Sequence, residues 1–135
     1  MNQDHVKILV ARRMEEAREC LEDGKYLLSS NRGARTVVNR AYYAAFYAVL
    51  ALLQTIGKTP RRHKGVLTLF DSEFVKSGLL PRESSELLHQ LFDAHLEDDH
   101  QRIDPVQSEE ASELIALAER FVETVRDYLT SAGYL

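Results

Sequence analysis

From Val37 to Leu53 the chain reads VVNRAYYAAFYAVLALL, 17 residues with one charge, Arg40, and apolar on nearly every face when wound into a helix. Such a helix has no side that prefers water, so other helices or lipid must enclose it. Seventeen residues is the short limit for crossing a bilayer, and Asn39, Arg40 and the rings of Tyr42, Tyr43, Phe46 and Tyr47 favour protein neighbours. The stretch is expected to be the central helix of a bundle. Ala41, Ala44, Ala45, Ala48 and Ala51 let neighbouring helices approach closely, and the aromatic rings fill the gaps.

The rest of the chain suits that architecture. Its 135 residues fit one domain, 1–135, able to bury a core without disulfide or metal staples. With 44% apolar residues and three prolines, it is expected to be all-α, an up-and-down antiparallel bundle of about five helices. One cysteine, Cys20, in a charged stretch read as surface, excludes an intrachain disulfide and gives no sign of an oxidising compartment. The start, MNQDHVKILVARR, has no long apolar core of the secretory kind, so a cytoplasmic location without membrane association is expected. A net charge of −4 gives no global nucleic-acid footprint, which leaves local basic patches.

Val6, Val10, Met14, Ala17, Leu21 and Leu28 recur at helical steps and predict a first helix over Asp4 to Leu28. Ser29 to Gly33 reads as a turn, and the central helix is expected to stop at Gly57. Thr59 and Pro60 resemble an N-cap and first-turn pair for a third helix, ending at Ser77 and Gly78. Pro81 opens a fourth, which continues into the polar run HLEDDHQRID. Asp104, Pro105 and Gln107 resemble a capping box for the last, with Leu114, Leu117, Ala118, Phe121, Val125 and Tyr128 inward.

Short connections favour antiparallel neighbours. The turn at 29–33 and the loop at 77–81 would then share one end, and the loop at 57–61 and the segment 95–104 the other. A basic group, Lys58, Arg61, Arg62, His63 and Lys64, would face an acidic one containing Asp93, Glu97, Asp98, Asp99 and Asp104. Most charge runs are solvated faces. The alternative is that His63, His95, Asp99 and His100 converge, with His95 and Asp99 on one helix face. Arg40 is expected towards the opposite end, paired with Glu19, Glu22, Glu86 or Glu123, because an unpaired buried charge is costly.

The stretches Asn39-Arg40-Ala41-Tyr42-Tyr43-Ala44-Ala45-Phe46, His63-Lys64-Gly65-Val66, Leu69-Phe70, Glu73-Phe74-Val75-Lys76, Gly78-Leu79-Leu80-Pro81 and Leu91-Phe92 together resemble the HEPN-domain family, over about residues 35 to 105. The resemblance implies an up-and-down helical bundle, often a homodimer. It also implies an encoded neighbour, a minimal nucleotidyltransferase, in a toxin-antitoxin-like pair. Some family members are metal-independent ribonucleases that use an Arg and a His roughly four to six residues later. The resemblance to this branch implies an Arg followed by an Ala-Asp-Tyr sequence after Leu91-Phe92; there the Arg position holds His95, the Asp is matched by Asp99, and the Tyr position holds His100. The only Arg and His at ribonuclease spacing are Arg82 and His89.

Three functions are compatible with these residues. In the first, the bundle binds a nucleotidyltransferase partner and a nucleotide or RNA phosphate through Lys58, Arg61, Arg62 and Lys64, since cations beside a helix N-terminus suit phosphate. The second is a metal-independent ribonuclease with a degenerate motif, in which His63, His95 or His100 supplies acid-base chemistry beside Asp99. The third is a mononuclear metal site from His63, His95, Asp99 and His100. A dinuclear site is excluded within one chain, because Glu86-x-x-His89 and Glu97-x-x-His100 lie on one helix about 16 Å apart. No cofactor is expected.

Overall fold

The enclosure that the apolarity of Val37 to Leu53 demands is present in the computed structural model, which describes residues 2–99 and 103–135, with side chains for 2–97 and 103–135. Among the described residues there are five α-helices and no strand: α1 (Gln3–Ser29), α2 (Ala34–Thr55), α3 (His63–Phe70), α4 (Arg82–Asp99) and α5 (Ser108–Ser131). A π-helical segment, Asp71–Val75, continues α3. α2 packs on all four other α-helices. All five of its alanines from Ala41 to Ala51 are fully buried, as are Val37, Tyr42, Val49, Leu52 and Leu53. By length and composition alone α2 could cross a membrane, yet 67% of its most apolar window is covered by the rest of the chain, which is what a core helix requires.

Local signals set the helix ends. Asn2 caps α1, its Oδ1 accepting from the His5 N–H at 2.8 Å, with Asp4 in the first turn where the helix dipole favours an acid. At the end of α2, Gly57 takes φ 69° and two crossed bonds close the last turn, Gly57 N–H to Gln54 O (3.2 Å) and Lys58 N–H to Leu53 O (3.1 Å). Nothing lies within 4 Å of where a Gly57 Cβ would be, so glycine serves the backbone angle there. Gly24, inside α1, serves closeness instead: a Cβ would stand 2.7 Å from Ile115 Cδ1 and 3.5 Å from Arg40 Cβ.

Two helix starts differ from expectation. α5 begins at Ser108, and the Gln107 amide turns to the Pro105 carbonyl (3.4 Å), so no capping box forms at Asp104. α3 begins at His63, after Arg62 in extended conformation, and Pro60 stays in the connection. That connection has another task. His63 sits against Phe46 and Tyr42, about 13 to 20 Å back from the end of α2, so residues 56–62 return along the bundle before α3 starts.

This return changes which ends meet. Gln3 and Val6 line one cavity with Gln54, Thr55 and Tyr134, so α1 begins where α2 and α5 end. Leu28, Asn31 and Ala34 line another with Ser108 at the opposite end. The ion pair of Glu83 with Arg120 places the start of α4 beside the second half of α5, so α4 runs towards the end where α5 begins. The expected meeting of 77–81 with 29–33 is therefore replaced: residues 77–81 lie towards the end where α2 finishes, and α4 finishes towards the end where α2 starts.

Candidate functional site

The register between α3 and α4 is fixed by Asp71, whose carboxylate accepts from Ser85 Oγ and His89 Nε2, both at 2.7 Å. About two turns away the same antiparallel register brings His63 level with His95. Both imidazoles meet Tyr42. The Tyr42 hydroxyl lies 2.9 Å from His63 Nδ1. The Tyr42 ring stacks on His95, with centroids 4.3 Å and planes 11° apart. Phe46 covers the His63 ring at 4.2 Å, and Tyr43 meets His63 and His95 edge-on at 5.9 and 5.7 Å.

Tyr42 has no exposed surface and His95 only 7%, whereas His63 and Tyr43 are half-buried and open part of the cluster to solvent. The chemistry available is that of a phenol and two imidazoles. A hydroxyl bonded to Nδ1 couples the Tyr42 proton to the His63 tautomer and holds the ring in one orientation. Two imidazoles on one tyrosine place ring nitrogens that can accept and donate protons on a common group.

The basic residues flank His63. Lys58 is spent on an ion pair with Glu73 at 2.7 Å. Arg61, Arg62 and Lys64 are exposed, form no ion pair among the described residues, and line an open concavity with Pro60, Gly65, Thr68 and Leu69. On the α4 side, Asp93 and Glu97 are exposed beside His95. His100, and the side chain of Asp99, lie outside the described residues. Among those described, no three His, Cys, Asp or Glu residues are placed to hold a metal ion.

Arg40 departs from its expected pairing with Glu19, Glu22, Glu86 or Glu123. Its Nε and Nη2 donate to Asn39 Oδ1 (3.2 and 2.8 Å), Nη1 is 3.4 Å from Cys20 Sγ, and Cζ lies 5.7 Å from the Tyr43 ring centre. Nor is it remote from the histidines, since Tyr43 touches both it and them. The reversed course of α4 explains this, because His95 comes down to the level of the first half of α2. Cys20, expected on the surface, is 4% exposed. Burial pushes its thiol pKa up, more than Arg40 draws it down.

Sequence reasoning singled out His63 and His95 but treated Tyr42 as packing alone. The signal was present in its hydroxyl: a fully buried tyrosine nearly always finds a hydrogen-bond partner. Of the pair at ribonuclease spacing, Arg82 starts α4 and His89 lies mid-helix, outside the cluster and engaged by Asp71.

The model of the HEPN domain matches residues 10–128. The chain belongs to the HEPN-domain family. Among its HEPN relatives, a protein of Thermotoga maritima named "UPF0332 protein" is 38% identical over 109 residues, covering 81% of this chain and 82% of the relative. Two from Methanocaldococcus jannaschii are named "Putative toxin MJ0142", 32% identical over 90% of this chain and 82% of the relative, and "Putative toxin MJ0605", 33% identical over 86% and 85%. The HEPN match runs from the first third of α1 to near the end of α5, so every helix that builds the His63, Tyr42 and His95 cluster falls within it.

Proposed function

We propose that this HEPN protein is toxin-like and binds RNA or nucleotide phosphate on the face formed by His63, Tyr42 and His95 together with Arg61, Arg62 and Lys64. In this reading it works in the cytoplasm as a homodimer, and a minimal nucleotidyltransferase encoded beside it is its controlling partner. The observation that carries the reading is the Tyr42 hydroxyl at 2.9 Å from His63 Nδ1 with His95 stacked on the same ring. A solvated charged end has no reason to fix two histidines from different helices on one buried tyrosine. Three exposed cations beside the cluster, without an ion pair among the described residues, suit a phosphate ligand. The toxin names of two relatives support the same direction.

The second reading is metal-independent ribonuclease activity by the same cluster, favoured by the two imidazoles themselves: one would accept the proton of the attacking hydroxyl and the other donate to the leaving oxygen. One experiment addresses both readings. Purified protein is incubated with total RNA in EDTA and its affinity for labelled RNA is measured in parallel, with His63→Ala and His95→Ala alongside. Binding that both substitutions weaken, without cleavage, supports the binding module. Cleavage in EDTA that both abolish supports the nuclease. Failure to bind or cleave RNA in every lane refutes the face as a nucleic-acid site.

A further inference from the structure

We propose that Arg40 is an anion-binding residue of this face, a guanidinium supplied from α2 beside the two histidines. This rests on the reading that the face takes an RNA or nucleotide phosphate.

Arg40 is the one charge in the stretch of α2 from Val37 to Leu53 and is half-buried. Among the described residues its polar and ring partners are neutral: the Asn39 amide oxygen, the Cys20 thiol and the face of Tyr43. A cation partly removed from water with only neutral partners keeps its demand for an anion. Among the described residues it forms no ion pair. Glu16 is held by Arg13 at 2.8 Å, and Glu22 is held by Arg18. The thiol is no substitute, because its burial favours the uncharged form.

Geometry adds direction. Asn39 takes Nε and Nη2 and Cys20 takes one hydrogen of Nη1, so of the five N–H donors about two remain, and the guanidinium plane is held by the groups that use the other three. A held fork with spare donors is what bidentate recognition of a phosphate uses. Tyr43 joins this fork to the cluster, lying 5.7 Å from Cζ and within 6 Å of both imidazole centres. Arg40, Tyr43 and the histidines thus form one continuous strip along α2, α3 and α4.

The test measures binding of a fluorescein-labelled oligouridylate as a function of salt. Arg40→Gln is expected to weaken binding about tenfold and to flatten the slope of log K against log salt by about 0.7, the loss of one phosphate contact on a single strand. Arg40→Lys should keep the slope while losing part of the affinity, because the charge stays and the fork is lost. Helicity by circular dichroism accompanies each variant. A folded Arg40→Gln with the wild-type affinity and slope, where His63→Ala weakens binding, overturns the inference and leaves the face standing. If Arg40→Gln does not fold, a folded Arg40→Lys with a flattened slope overturns it equally. Wild-type protein that fails to bind the oligouridylate removes the face and Arg40 together.

Discussion

Replacing Tyr42 with phenylalanine separates the ring of that residue from its hydroxyl. The phenyl ring keeps every packing contact, to His95 at 4.3 Å, Tyr43 at 5.2 Å, Phe46 at 5.8 Å and Phe92 at 5.9 Å. The bond to His63 Nδ1 at 2.9 Å is lost. His63 is half-buried, so water can take over its nitrogen and the cost is the net worth of one hydrogen bond, about 1 kcal/mol. Tyr42→Ala, by contrast, empties a fully buried ring site and should cost about 3–5 kcal/mol. For a domain of this size 1 kcal/mol corresponds to about 3–5 °C in Tm. The functional effect should be larger than the thermal one. His63 opens α3, where no side chain caps the helix, and without the hydroxyl its ring keeps the packing of Phe46, Tyr43 and the residue-42 ring but loses the directional bond to Nδ1 that sets its orientation. RNA affinity, or cleavage if present, should fall roughly tenfold, a loss typical of a misplaced site residue. Thermal melts and RNA titrations on both variants check this. Tyr42→Phe with full RNA binding where His63→Ala has lost it would refute the orienting role, and a Tm loss as large as that of Tyr42→Ala would make the hydroxyl a structural group.

Two further outcomes follow from the packing around α1. Gly24→Ala should gain about 1 kcal/mol of helix propensity but lose about 1–3 kcal/mol to the 2.7 Å approach of Ile115 Cδ1, giving a variant between neutral and roughly 2 kcal/mol less stable. Ile115→Val removes that carbon, so in its background Gly24→Ala should stabilise by up to about 1 kcal/mol; urea titrations of the four proteins test it, and a coupling below about 0.5 kcal/mol refutes it. The Cys20 thiol has its pKa raised, by burial first, so the folded state holds this proton more tightly than the unfolded chain. Its contribution is complete below the unfolded thiol value of about 8.5 and is lost as pH rises through the folded value. Wild-type protein should lose more Tm between neutral pH and about pH 10 than Cys20→Ala, and equal losses in the two would refute the assignment.

What could be read in the sequence, and what could not, follows from how far each signal reaches. The enclosure of α2 was legible because being apolar on every face is a local property with one remedy. Gly57 and Pro81 marked their helix boundaries because the backbone angles they serve are local too. Cys20 was legible in principle: it lies three residues after Ala17 on the stripe that continues to Gly24, and the charges beside it point elsewhere. The level of each helix along the bundle was not legible. Short connections imply adjacent ends only when a connection turns at once, and residues 56–62 instead travel back to the middle of α2. His63 and His95 were paired in the sequence reading by assigning both to the end where α2 finishes, whereas they meet lower down, with α4 running the other way. That same inversion moves Arg40 from the far end to the next residue along the strip. The long-range bond of Tyr42 to His63, with the Phe46 and Tyr43 rings around it, helps set where α3 starts against α2 and so which residues share the face. No periodicity encodes such a bond, since a buried tyrosine and a buried phenylalanine leave the same apolar pattern and differ only in the partner that the hydroxyl must find.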